Sequence, residues 1–384
     1  MAYIVKPPSG NTGPGIHILL IGVDKYPHLH DAKGTPSELG TDFDVLDAPT
    51  HSCKLLANWF AGGNLRHGGL SIKSVDVLAS RAVGRGQGSR PRTEEPTFEN
   101  VRLAIERWYD LGDQSPDNLL VFYFCGHGLQ QTVGTHSLLC ADFGAHKHAP
   151  YDHAIHYEGL ESGMRSCAAK RQIFLLDTCR TVSGEILNRF NGRGHDVVAR
   201  RAPADLGETS QSVIWATAGG AQAWAREGAP SVFAQAFLQC LRGGAAIQDV
   251  NTGTVIANAM SIRTAMAQYL AAVADIDQEP QISQPVGKAF KFHEFGQHLS
   301  IPVVVRCSPP ENTPGANLSC RQNGGTIRKR RPLANMGSDR WLLELPQGNY
   351  TFRAVSYYDS QHEGEIAQAT FPPLASVRIP MEQK

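Results

Sequence analysis

Three runs of apolar residues set the frame of this chain: residues 16–23 (IHILLIGV), 119–124 (LLVFYF) and 173–176, the centre of RQIFLLDTCRT. Runs with so few polar interruptions predict strands buried on both faces, as in a parallel sheet. Between and after them the apolar positions take up helical spacing. Cys53, Leu55, Leu56, Trp59 and Phe60 predict a helix over 50–60, which Gly62-Gly63 ends. Thr97, with Asn100 three residues on, predicts an N-cap before the stripe Phe98, Val101, Ile105 and Trp108. Further helices are expected over 157–169, 232–241 and 257–273, and shorter strands over 75–78 and 212–218. Strands alternating with helices across 16–290 predict an α/β fold, a mostly parallel sheet with helices on both faces.

The pattern changes near His298. Val303-Val304-Val305, Trp341-Leu342-Leu343 and residues 350–358 are short alternating runs broken by Pro, Gly and Asn at close intervals. They predict a small antiparallel β-sandwich over 299–384. Residues 1–15, rich in Pro and Gly, are expected to be a flexible arm. Residues 24–46 and 81–96 read as long loops, and a hairpin-like return at 137–140 leads into a loop carrying His146, His148, His153 and His156. Residues 182–210, with Arg189, Arg193, Arg200 and Arg201 among several glycines, read as exposed and mobile.

A chain of 384 residues accommodates one large α/β domain and a smaller one. Its 36 basic residues balance 36 acidic ones, which argues against a nucleic-acid partner. The eight cysteines include no C-x-x-C pair, so neither a zinc site nor a disulfide scaffold is announced. The four loop histidines are read as solvated for the same reason, since no carboxylate or thiol completes a ligand set; no metal or cofactor is expected. No signal peptide and no apolar run of membrane-spanning length is seen, which excludes a membrane role and makes the cytoplasm the expected compartment.

The chemistry gathers where two of the buried runs end. The 173–176 run stops at Asp177, Thr178 and Cys179, and the 119–124 run stops at Cys125-Gly126-His127-Gly128. Open α/β sheets place their chemistry beyond the carboxyl ends of central strands. The two runs therefore deliver a thiol and an imidazole to one sheet edge, where imidazole can deprotonate thiol and later protonate a leaving amine. Cys125 lies within its strand and reads as core, and Cys140 and Cys167 lack a histidine at a strand end. Asp177, two residues before Cys179, shares its side of the strand and faces the crevice, where an acid favours a basic substrate group.

Strand-GHG followed by strand-D-x-C-R resembles the caspase superfamily of cysteine peptidases, and the separation from His127 to Cys179 is near the roughly 50 residues found in caspases. LLDTCR, and Leu46-Asp47-Ala48-Pro49 leading into Lys54-Leu55-Leu56, are similar to paracaspases and to bacterial metacaspase-like proteins. The likeness covers residues 16–290. It implies a caspase-like peptidase domain over 16–290 followed by an immunoglobulin-like domain over 299–384. It further implies a Cys179–His127 dyad, an oxyanion hole formed by the N–H groups of Gly128 and Cys179, and a histidine oriented by backbone alone. The substrate would be a protein, cut in a defence or cell-death setting, with a regulatory protein partner on the C-terminal domain. Of three pocket acids in paracaspases, Asp177 is present, while Ser52 and Ala225 stand at the other two positions. Residues 182–210 occupy the place where caspases are processed. A catalytically weak scaffold that binds partners is the alternative from another class. A nucleotide-binding domain is excluded by DKYPHLH after the first strand, where a G-x-G-x-x-G loop is needed.

Overall fold

The structure, a computed structural model, describes residues 3–8, 13–31, 33–41, 43–80, 93–132, 134–178, 192–199, 209–217, 228–274, 280–283, 287–322, 325, 327–332, 335, 337–358 and 362–383. In chain order the first elements are β1 (Tyr3–Val5), β2 (Ile16–Gly22), α1 (Ala48–Ala61), β3 (Ile72–Ala79), α2 (Phe98–Asp113), β4 (Leu119–Gly126), β5 (Gly128–Thr132), β6 (Thr135–Leu139), β7 (Ala154–His156), α3 (Tyr157–Met164), β8 (Arg171–Thr178) and β9 (Ser210–Trp215). Then come α4 (Val232–Gln239), β10 (Ile247–Gln248), β11 (Val255–Ala257), α5 (Ala259–Tyr269), β12 (Gln281–Ile282) and β13 (His293–Glu294). The remaining strands are β14 (Ser300–Ser308), β15 (Ala316–Gln322), β16 (Ile327–Arg330), β17 (Trp341–Pro346), β18 (Gly348–Ser356), β19 (His362–Thr370), β20 (Ala375–Pro380) and β21 (Glu382–Gln383).

By compactness the chain divides into two units, residues 1–235 with 278–292, and residues 236–277 with 293–384. The first holds a seven-stranded sheet in the order β1-β3-β2-β4-β8-β9-β12. Its five inner strands run parallel, and β1 and β12 pair antiparallel at the two edges. Tyr3–Val5, expected in an arm without structure, thus closes the edge of β3, where an apolar β-former satisfies an open ladder. Every residue of β2 and β4 is buried, as their apolar runs require. Alternation along the strands separates two faces. Phe122, Phe124, Phe174 and Leu176 pack with Val101, Ile105 and Trp108 of α2 and with Leu160 of α3. Tyr123 and Cys125 turn the other way, toward the side where α1 lies so close to β2 that a Cβ on Gly22 would meet Cys53 Sγ at 2.8 Å. Helices therefore cover both faces of the sheet.

Helix α3 stops at Met164 instead of running on to 169. Its end is held by Gln172, whose Nε2 donates to the carbonyls of Met164 (2.8 Å) and Ala169 (3.0 Å). Ala257, expected in a helix, ends β11, and a capping box between Asn258 and Ser261 starts α5 after it.

The second unit contains two facing sheets, β17-β14-β20 and β16-β15-β18-β19-β21. Between them lies a core with Val303, Val305, Trp341, Tyr350, Phe352 and Val377. The sandwich is not wholly antiparallel, because β14 and β20 run parallel side by side. Residues 236–277, grouped with these strands by compactness, also share long-range polar ties with them. Arg340 Nη1 donates to the Ala272 and Val273 carbonyls, both at 3.0 Å, and Glu344 accepts from Gln239 (2.7 Å) and Arg242 (3.0 Å). Among the described residues no helix is long and apolar enough to cross a membrane.

Candidate active site

In the order β3-β2-β4-β8 the chain adds β3 on one side of β2 and β4 on the other, so the strand order reverses between β2 and β4, where doubly wound sheets open a crevice. Strands β4 and β8 are neighbours, with Cys125 opposite Asp177 and Gly126 opposite Thr178. The next residues along the two strands are His127 and Cys179. Cys179 itself lies outside the described residues, as do Ala225, Arg189, Arg200 and Arg201.

His127 is buried, 6% exposed, and is held on several sides. Its Nε2 lies 2.9 Å from the Asp44 carbonyl, which can only accept, so Nε2 carries the proton and Nδ1 is the free base. The rings of Tyr26 and Phe43 flank the imidazole, with centroids 4.8 and 4.9 Å away. Burial pulls the imidazole from its ordinary value down to about 4, with the Asp44 carbonyl bond opposing and His30 adding to the fall. The imidazole is thus neutral over most of the working pH range, in the tautomer a general base needs. Among the described residues a loop carbonyl, and no side-chain carboxylate, orients it. His30 is tied in the same way, its Nε2 donating to the neighbouring Phe43 carbonyl at 2.9 Å. Gly128 opens β5, buried and opposite Leu138.

Asp177 is 2% exposed and faces the same side as Tyr123 and Cys125. Its Oδ2 accepts from the Tyr123 hydroxyl at 2.7 Å and from the Ser231 hydroxyl. Its Oδ1 has no hydrogen-bond partner among the described residues, although the weak Cys125 thiol donor lies beside the carboxylate. Burial raises its pKa, against the lowering effect of Ser231 and Tyr123. Ser52, on α1, is fully buried and accepts the Ser231 backbone N–H at 2.9 Å. The structure therefore joins Ser52 and Asp177 through Ser231. Sequence reasoning missed Ser231, whose one local signal was its position just before the apolar run of α4, where it caps the helix by accepting the Ala234 N–H at 3.0 Å. Tyr26, Phe43 and Asp44 were also missed, because they sit in a loop without periodicity.

Of the four histidines expected in a solvated loop, His146 and His148 are exposed, but His156 is buried. It pairs with Asp196 (2.6 Å) and Glu158 (3.4 Å), because residues 192–199 return along β7, with His195 bridging Ile155. Among the described residues no group of three or more His, Cys, Asp or Glu side chains is suited to a metal ion. Cys125, Cys140 and Cys167 are buried thiols.

A family model described as the caspase domain, peptidase C14, matches residues 17–291. An uncharacterized protein, y4kE, of Sinorhizobium fredii (strain NBRC 101917 / NGR234) is 26% identical over 299 residues, covering 76% of this chain and 84% of its own. Among solved structures, protein GSU0716 of Geobacter sulfurreducens aligns with 14% identity and a TM-score of 0.42, over 72% of this chain and 94% of its own. Caspase-1 of Spodoptera frugiperda aligns with 11% identity and a TM-score of 0.41, over 77% of this chain and 100% of its own.

Proposed function

The chain belongs to the caspase-domain family of peptidases, and from that premise we propose that it is a cysteine endopeptidase that cuts a protein partner with Cys179 as nucleophile and His127 as base. The observation that carries this reading is the geometry of His127. It follows the rung that pairs Gly126 with Thr178, the residue before Cys179, and its Nε2–H is committed to the Asp44 carbonyl, so Nδ1 is free to take a proton. In the proposed reaction Nδ1 removes the thiol proton and the thiolate adds to the scissile carbonyl. The N–H groups of Gly128 and Cys179 stabilise the oxyanion, and the imidazolium then protonates the leaving amine. Water hydrolyses the thioester, with His127 again as base.

Asp177 is proposed to receive the substrate side chain before the scissile bond. A buried carboxylate with one oxygen bonded twice, and the other met among the described residues by no donor stronger than the Cys125 thiol, favours a cationic donor there. With Ser52 and Ala225 at the other two positions, this single acid gives a preference for a basic residue without strict selection. Defence or cell death as the setting is carried by the family resemblance alone.

A panel of fluorogenic peptides, run on the wild-type chain and on Cys179→Ala, tests the reading. Hydrolysis of basic-residue peptides should fall by more than about a thousandfold in the variant, with thermal melting unchanged. His127→Ala should do nearly as much, and the double variant should be no worse than either, since the pair acts as a unit. Substantial hydrolysis by Cys179→Ala would overturn Cys179 as the nucleophile, and none by the wild type on any peptide would favour the scaffold alternative.

A further inference from the structure

Strands β5 and β6 pair antiparallel with Gly128 opposite Leu138, so His127 stands opposite Leu139. A hydrogen-bonded antiparallel pair exchanges two N–H···O bonds. Here only one is direct, from Leu139 N–H to the His127 carbonyl at 3.1 Å. The return bond runs through a side chain. The His127 N–H donates to Tyr26 Oη at 2.8 Å, and that hydroxyl donates to the Leu139 carbonyl at 3.2 Å. The phenol is wedged into the ladder at the rung that carries the candidate base, while its ring packs against the imidazole. It is 4% exposed, and the space it fills exists because residue 126 is glycine, where a Cβ would lie 2.7 Å from Tyr26 Oη.

We propose that Tyr26 is a positioning residue for His127: its hydroxyl replaces one strand-to-strand bond and so fixes the backbone from which the imidazole is aimed. The proposal rests on the peptidase reading above. Without the hydroxyl, the buried His127 N–H and Leu139 carbonyl lose their partners, and the strand must either close directly or admit water. Either response moves the ring, and a displacement of about 1 Å is enough to cost roughly a hundredfold in rate. Entry of water also relieves the burial that holds the imidazole near 4.

Tyr26→Phe tests this, because it keeps the ring and removes only the hydroxyl. The expected result on the best fluorogenic peptide is a fall in kcat of about ten- to a hundredfold, with KM within about twofold. The acid limb of the pH profile should move upward from near 4 toward the ordinary histidine value. Gly126→Ala, whose Cβ would lie 2.7 Å from the same hydroxyl, should show the same signature. Wild-type kcat and an unmoved acid limb in Tyr26→Phe overturn the proposal. Should that variant fail to fold, Gly126→Ala alone decides by the same two readouts. Should the wild type show no Cys179-dependent hydrolysis, it is the peptidase reading that fails. The positioning claim is then decided by NMR titration of the His127 ring in wild type and Tyr26→Phe, where an unchanged titration overturns it and an upward shift supports it.

Discussion

Replacing Ser231 by alanine removes two hydrogen bonds at once, and each has a separate consequence. The hydroxyl donates to Asp177 Oδ2, and its oxygen accepts the Ala234 N–H as the cap of α4. Loss of a serine cap costs about 1 kcal/mol. Loss of a donor to a buried carboxylate costs about 1.5–3 kcal/mol. Together they predict a destabilisation of about 2.5–4 kcal/mol, measured by urea unfolding at neutral pH with an unchanged m-value. Tyr123→Phe removes a bond to the same oxygen, with the hydroxyl's contact to the Cys125 thiol, and should cost about 1.5–3 kcal/mol while leaving the cap in place. Asp177 supplies the functional readout. Its pKa is already raised by burial, and Ser231 is the first of the groups that hold it down. Without that bond the charged form loses support and the pKa rises further. A carboxyl is ionised above its pKa, so the pH above which arginine peptides outrun neutral citrulline isosteres should move upward in Ser231→Ala. A stability loss below about 0.5 kcal/mol, of the size usual for a surface substitution, would refute the network. An unmoved arginine-to-citrulline ratio across the pH range would refute the assignment of Asp177 to substrate binding while leaving the network intact.

Acid should destabilise the fold through His17, whose Nδ1 lies 2.8 Å from Ser74 Oγ and which burial, with Lys73 nearby, holds at about 4. The unfolded chain binds the extra proton below the ordinary value near 6.5, so this contribution is complete above it and lost as the pH falls, reaching about 3 kcal/mol at pH 4. Asp76, Asp177 and Glu161, all raised, act in the opposite sense, so the test is the difference between wild type and His17→Gln in denaturant unfolding at pH 7 and pH 4; equal acid sensitivity would exclude the assignment. Among the described residues between β12 and β14, a broad-specificity protease should cut at the exposed residues 287–289 and 296–298, since Phe292 and His293 are buried and β13 is paired to β11. A fragment beginning near residue 299 that melts cooperatively would support an autonomous C-terminal domain, and one that does not would show that the strands need residues 236–277. Intact-mass measurement after long incubation should yield fragments ending at Arg200 or Arg201 in active protein and none in Cys179→Ala if the post-nucleophile segment is self-processed. A single intact chain that still cuts peptides would show an enzyme that works unprocessed.

The central strands and the residues at their ends were legible because burial on both faces leaves a run of apolar letters that no other local structure leaves so plainly. The Thr97 cap was legible for a similar reason: capping depends on neighbours three residues away, and the side chain accepts the Asn100 N–H. What surrounds His127 was not, because Tyr26 and Asp44 act through a hydroxyl and a main-chain carbonyl brought in by a loop, and neither leaves a pattern in the residue types. The parallel pairing of β14 with β20 was hidden for the opposite reason. Alternation reports that a strand has one buried face, and it is silent on the direction of the strand beside it. The ties of Arg340 and Glu344 to residues of 236–277 leave no sequence pattern either, since they join positions far apart along the chain.

The choice between a peptidase and a partner-binding scaffold turns on what each would tolerate in its interior. A buried imidazole with its pKa driven to about 4 costs stability whenever the surroundings turn acid, and a buried carboxylate with an unpartnered oxygen costs it at neutral pH. Neither group packs better than an apolar residue of similar size, so a fold kept only for its surface gains nothing from them. The devices that hold them are specific to their orientation. The Asp44 carbonyl selects one tautomer of His127, and Tyr123 and Ser231 both engage one oxygen of Asp177, leaving the other, among the described residues, with no donor stronger than the Cys125 thiol. An interior that needed only to fill space would satisfy both oxygens or dispense with the charge. Asp177 stands on the rung it shares with Cys125, the next rung pairs Gly126 with Thr178, and His127 follows one residue beyond it, so a peptide held across the ends of β4 and β8 is the ligand that would use both.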